Sequence, residues 1–166
     1  MTQLLKDLLA DPFNTYCVDC TKNISSHANI SHGTFICLDC ANVHRIELGM
    51  DKTYIKPIFE DLWDTYQLQV ITFTGGNKQF WDFMKDYKTE QKPISIKYNT
   101  SEALYYKRRL AALVQDKSFE EKAPARNIDE LMDKGLETGK KAVQKGEVLI
   151  NQMGKAIDTK LQQWFK

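Results

Sequence analysis

Apolar residues fall at helical spacing near the start of the chain, at Leu4, Leu5, Leu8 and Leu9, which predicts a short amphipathic helix over residues 2–9, stopped by Asp11-Pro12. The pattern then changes to short extended stretches. Residues 28–30 and 33–36 read as strands or extended arms, with Gly33 permitting the turn between them, and residues 38–45 read as a helix. Residues 54–58 alternate apolar and polar side chains as a strand does, and Pro57 places that strand at a sheet edge or end. Helical spacing returns over 61–71 through Leu62, Trp63, Tyr66, Leu68 and Val70. Gly75-Gly76-Asn77 breaks it, with Asn77 expected to cap a helix over 78–87 that buries Phe80, Trp81, Phe83 and Met84. A further helix over 101–114 turns Ala103, Leu104, Tyr106, Leu110 and Leu113 toward the core.

After Pro124 the pattern is of another kind. Ile128, Met132, Val143, Ile150, Ile157 and Leu161 lie on one stripe that steps by three or four residues, near the eleven-residue period of a straight helix. Gly135, Gly139 and Gly146 interrupt it, each costing a helix about 1 kcal/mol. Such a segment draws stability from a surface: the domain, a partner helix, or a membrane interface with Trp164 and Phe165 as anchors. The expected organisation is a domain over 1–121, a linker over 122–126 and an amphipathic helical tail over 127–166.

Charge sharpens that division. The whole chain carries +1, but residues 122–166 hold nine basic and six acidic side chains, +3, leaving −2 for the rest. Nucleic-acid binders usually show a basic face with interleaved aromatics, and the slight acidity of this domain argues against such a partner. No apolar run approaches the roughly twenty residues a membrane span requires, and the N-terminus lacks the apolar core of a signal peptide. A cytoplasmic, reducing setting is the expectation.

The four cysteines form one pattern, Cys17-x2-Cys20-x16-Cys37-x2-Cys40. Two dithiol knuckles at this spacing suit one tetrahedral Zn²⁺, structural because four thiolates leave no open position. A pair of disulfides is the competing arrangement. His44 and Arg45 follow the last cysteine closely, which gives the arginine a fixed address. It could face a partner, or it could simply pair with Asp39 or Glu47. His44 is expected to make a supporting hydrogen bond or to pack, and His27 and His32 to be surface or packing residues.

These cysteines and Arg45, with Gly33-x2-Ile36-Cys37, Leu48-Gly49, Trp63, Gly75-Gly76-Asn77 and Lys97-Tyr98-Asn99, resemble the ArfGAP domain family. Residues 103–113 look like the end of the domain in its small Golgi-type members, so the resemblance covers residues 2–118. It implies an α+β fold: a four-cysteine zinc-ribbon core with a small sheet surrounded by helices. It also implies a GTPase-activating protein for an Arf-family small GTPase in its GTP-bound form. Such a protein is no enzyme with its own cycle; it completes a partner's active site with an arginine finger, here Arg45. The implied setting is vesicle trafficking at Golgi or vesicle membranes, with coat proteins or the membrane itself contacted through residues 127–166.

Three positions depart from the family pattern. His27 stands where a tryptophan is usual. After the arginine the family commonly reads glycine-leucine-glycine with a histidine soon after; here the segment Ile46-Glu47-Leu48-Gly49-Met50-Asp51 holds one extra residue and has Asp51 for the histidine. Lys56 replaces an arginine of the next strand. These departures carry the alternative reading, an ArfGAP-fold scaffold that binds a GTPase or coat proteins with little catalysis.

Overall fold

The computed structural model describes residues 2–59 and 62–164, with side chains of the last helix described through residue 145 and at Val148. The chain divides into two compact units, Met1–Pro124 and Ala125–Lys166.

In the first unit a three-stranded antiparallel sheet sits among helices. Its strands are β1 (His27–Asn29), β2 (Thr34–Ile36) and β3 (Ile55–Pro57), in the order β2-β1-β3. Ala28 pairs with Phe35 on one side and Lys56 on the other, and Pro57 ends the edge strand, where its missing N–H costs no ladder bond. Strands of three residues cannot hold themselves together. The helices that brace them are α1 (Gln3–Leu9), α2 (Pro12–Thr15), α3 (Leu38–Val43), α4 (Thr65–Thr74), α5 (Asn77–Asp86), α6 (Ile94–Lys97) and α7 (Ser101–Val114). Leu5, Phe35, Ile36, Ile71, Phe80 and Met84 form the centre of the core. The helix expected over 38–45 is shorter: α3 ends at Val43 and gives way to a π-helical turn, His44–Leu48.

Caps explain several boundaries. Asp11-Pro12 ends α1 and also begins α2, with Asp11 accepting the Phe13 N–H and Pro12 in the first helical position. The helix expected over 61–71 starts later, because Asp64 and Gln67 form a reciprocal capping box at its N-terminus; residue 61 lies outside the described residues. Asn77 does not cap α5 as expected. Gly76 holds the cap position with φ +98°, where an added Cβ would lie 2.2 Å from Asn14 Oδ1.

Asn77 is spent on the core instead. Its Oδ1 accepts the Phe35 N–H at 2.6 Å, and its Nδ2 donates to the carbonyls of Phe13 and Tyr16 at 2.9 and 2.8 Å. Asn14 Oδ1 in turn accepts the Asn77 N–H, and Asn14 Nδ2 donates to the carbonyls of Leu8 and Gly75. Two buried amides thus tie α1, α2, β2 and the start of α5. His32 is a packing residue, its ring centroid 4.9 Å from Tyr98 and 5.4 Å from Phe80. Burial, aided by the positive charge of Lys107, lowers its imidazole to about 3, so it is neutral in the folded protein.

The second unit is one long helix, α8 (Ile128–Trp164). Among its described side chains, Ile128, Leu131, Met132, Leu136 and Val143 are exposed. No described helix is long and apolar enough to cross a membrane. The expected anchors Trp164 and Phe165 lie outside the described side chains.

The Asn77 ties generate a prediction. Asn77→Ala leaves one buried N–H and two carbonyls short of a partner, and should lower unfolding free energy by about 2–4 kcal/mol. Urea denaturation would read this as a lower midpoint at unchanged m-value; an unchanged midpoint would refute the role.

Candidate functional site

Two short motifs bring the cysteines together. The first knuckle is closed by an isolated bridge between Tyr16 and Ile24, by the Cys17 N–H donating to the Asn23 carbonyl, and by Thr21, whose left-handed φ of 57° turns the chain back. In the second, Cys37 is the N-cap of α3, and its sulfur accepts the Cys40 N–H at 3.5 Å. Asn23 Nδ2 also donates to Cys37 Sγ, at 3.7 Å, and to Asp39 at 3.0 Å. All four Sγ atoms lie within 4.8 Å of one another, and none is in a disulfide.

The donor set fits zinc. A tetrahedron with Zn–S bonds of about 2.3 Å has edges of about 3.8 Å, and the Cys20–Cys37 sulfur separation is 3.8 Å. A hydrogen bond from the Cys40 thiol draws Cys17 down to about 5 against the opposing effect of burial, whereas the Cys40 thiol is pushed up, first by that same bond and then by burial. Four thiolates this close cannot coexist without a cation to neutralise them.

Asp19, between the first two cysteines, carries a second construction. Its side chain is 2% exposed; Oδ1 accepts from Lys97 Nζ and from the Tyr98 hydroxyl, and Oδ2 accepts from His44 Nε2, all three at 2.9 Å. Burial alone would raise this carboxyl, but the His44 hydrogen bond and the Lys97 charge hold it at about 2, so it is ionised at neutral pH. An ionised carboxylate only accepts, which assigns the proton on His44 Nε2. The other ring nitrogen of His44 lies 3.1 Å from Thr53 Oγ1. The supporting hydrogen bond expected of His44 is therefore present twice.

Arg45 stands next to this buried ring yet is itself exposed, at the second position of the π turn. Its guanidinium donates to Asn42 Oδ1 at 3.3 Å. Among the described residues it pairs with neither Asp39 nor Glu47. The π turn closes with the Gly49 N–H donating to the His44 carbonyl at 3.1 Å, and Gly49 leaves it at φ 75°, ψ 171°, a conformation open to glycine. The segment 46–51 that holds the extra residue begins within this widened turn. Leu38, Ile46 and Met50 are exposed apolar residues of the same stretch.

The three departures lie on neighbouring elements. His27 is buried on β1, with Nδ1 2.9 Å from Ser26 Oγ. Lys56 is buried on β3 with its ammonium 5.9 Å from the Trp63 ring centroid. Asp51 is exposed in the turn after the π segment, and its carbonyl, with that of Lys52, accepts from Lys107 Nζ at 2.8 Å. Sequence reasoning missed Asp19 and Thr53 altogether and gave Lys97-Tyr98 no role. The only sequence signal for Asp19 is a carboxylate lodged between two ligand cysteines.

Comparisons with known proteins agree with this geometry. The sequence model of the ArfGap family, described as "Putative GTPase activating protein for Arf", matches residues 2–123. ADP-ribosylation factor GTPase-activating protein 3 of Bos taurus is 32% identical over 66% of this chain and 21% of its own length. ADP-ribosylation factor GTPase-activating protein GCS1 of Saccharomyces cerevisiae is 32% identical over 66% of this chain and 31% of its own. The chain thus spans between a fifth and a third of these relatives. The fold is also similar to the crystal structure of a "putative GTPase activating protein for ADP ribosylation factor" from Cryptosporidium parvum, with a TM-score of 0.61, 21% identity, and 67% of this chain and 88% of that one covered. With the family match spanning the whole folded unit that holds the thiol cluster and Arg45, the chain belongs to the ArfGAP family.

Proposed function

We propose that this protein stimulates GTP hydrolysis by an Arf-family GTPase in its GTP-bound form, with Arg45 inserted in trans. The observation that carries this reading is an exposed arginine, unpaired with any described carboxylate, on a turn rooted in a metal knuckle and a buried histidine. The names of the Bos taurus and Saccharomyces cerevisiae relatives support the same activity. Small GTPases are slow alone because charge developing on the transferring phosphoryl group is incompletely stabilised; a planar guanidinium supplies two donors there. The protein completes its partner's site and runs no catalytic cycle of its own. Cys17, Cys20, Cys37 and Cys40 hold one structural Zn²⁺, which neutralises the four thiolates and fixes the two knuckles against each other.

A second reading, a weakly catalytic scaffold for a GTPase or coat proteins, is favoured by Lys56, which stands over Trp63 in place of the family's arginine. The exposed apolar residues of α8, with Lys140, Lys141 and Lys145 among its polar ones, support peripheral contact with Golgi or vesicle membranes.

Three measurements test this account. In single-turnover hydrolysis by a GTP-loaded Arf-family GTPase on liposomes, Arg45→Ala should lower the stimulated rate by about 10³-fold or more, and Arg45→Lys nearly as much. A wild-type rate from Arg45→Ala would remove the arginine-finger role; an intrinsic rate with the unmutated protein would leave the scaffold. Elemental analysis should find one zinc per chain, lost together with near-ultraviolet circular dichroism on chelation or in Cys40→Ser. A fully folded, zinc-free protein would contradict the structural role. Anionic vesicles should raise or stabilise the far-ultraviolet helical signal of the 127–166 tail, and a spectrum and melting curve indifferent to lipid would exclude membrane contact.

A further inference from the structure

We infer that His44 is the positioning residue for Arg45, and that Asp19 and Thr53 act on the arginine through its ring. The inference rests on the proposed role of Arg45 and concerns how that side chain is aimed. Arg45 itself has little holding it: its side chain is exposed, and the bond to Asn42 is long at 3.3 Å. Its direction therefore depends on the backbone that bears it. That backbone is a π turn, closed by the i to i+5 hydrogen bond from the Gly49 N–H to the His44 carbonyl.

His44 supplies the missing constraint from both its backbone and its ring. Its carbonyl accepts the Gly49 N–H at 3.1 Å, the Gly49 carbonyl accepts the Thr53 N–H at 3.2 Å, and Thr53 Oγ1 lies 3.1 Å from His44 Nδ1. Three hydrogen bonds therefore close a circuit that begins and ends on the residue before Arg45. Lys107 pins the same loop from α7 through the carbonyls of Asp51 and Lys52.

Below the circuit, His44 Nε2 donates to Asp19 at 2.9 Å, and the ring meets Tyr98 edge to face at a centroid distance of 4.5 Å. The ring is fully buried with both nitrogens engaged, and Asp19 is locked in turn by Lys97 and Tyr98. Rotation of the turn about its own axis would break the Asp19 and Thr53 bonds together and leave buried polar atoms unsatisfied. The next Cα, that of Arg45, is only about 3.8 Å away across one rigid peptide. A misplacement of about 1 Å in such a group can cost about 10²-fold in rate.

The test compares full-length wild type, His44→Ala, His44→Gln, Thr53→Val, Arg45→Ala and the double variant His44→Ala/Arg45→Ala. The readouts are the maximal stimulated rate (kcat), the half-saturating concentration (KM), zinc content and melting temperature. His44→Ala should lower kcat by about 10–100-fold with KM within about threefold. His44→Gln, whose amide can donate to Asp19, should recover most of that loss. Thr53→Val, which removes one bond and little volume, should give a loss of a few-fold and keeps the test open if His44→Ala does not fold. Because His44 acts through Arg45, the double variant should be no slower than Arg45→Ala alone. Losses that multiply in the double variant, or folded His44 and Thr53 variants at wild-type rates beside an inactive Arg45→Ala, would overturn the positioning role while leaving the finger intact. A fully active Arg45→Ala would instead remove the finger reading, and the positioning role with it.

Discussion

Four sulfurs gathered within 4.8 Å are the constraint on which the folded unit rests. Each of the three strands is three residues long, and α2, α3 and α6 are four to six residues long, so no local element near the site is stable alone. A tetrathiolate metal centre removes that difficulty by fixing two chain reversals, at residues 17–20 and 37–40, to one point. The helix that carries Cys40 then leaves the centre in a defined direction, and Arg45 lies little more than one turn beyond Cys40, in the π turn that continues it.

The Asp19 cluster carries this order outward. A buried carboxylate with a lysine ammonium, a phenol and an imidazole as donors gains little over an apolar core of the same size, because desolvation offsets the attraction. It provides specificity of arrangement instead. Every donor must arrive in place, and the cluster joins three parts of the chain: the first knuckle, the π turn and the end of α6. Asn14 and Asn77 do the same for the chain leading into the knuckle, where their buried amides complete backbone hydrogen bonds of Leu8, Phe13, Tyr16, Phe35 and Gly75.

The second unit follows a different logic. α8 carries exposed apolar residues and two described glycines, Gly135 and Gly139, with open space where a Cβ would stand. An amphipathic helix of this composition draws most of its stability from packing rather than from propensity. Residues 122–166 also differ in charge from the rest of the chain.

Much of the site was legible in the sequence because its chemistry is local. The spacing of Cys17, Cys20, Cys37 and Cys40 names the metal and its geometry, since two residues between cysteines suit one knuckle, and Arg45 follows at short range. Gly75 and Gly76 announced a turn, and the apolar spacing of 78–87 a helix. Three matters were decided only by tertiary structure. Asn77 reads locally as a helix cap, but the approach of Asn14 reserves the cap for Gly76 and turns the amide toward Phe35. The helix after Cys40 reads as α-helical throughout, whereas ties from His44 to Asp19 and Thr53 hold its end in a π turn. Asp19 carries no local signal beyond its place between two cysteines, yet it lies at the centre of a buried network with partners 25 to 79 residues away. Spacing determines what can meet within a turn or two of chain. Which distant donors satisfy a buried charge is fixed only when the whole unit closes around it.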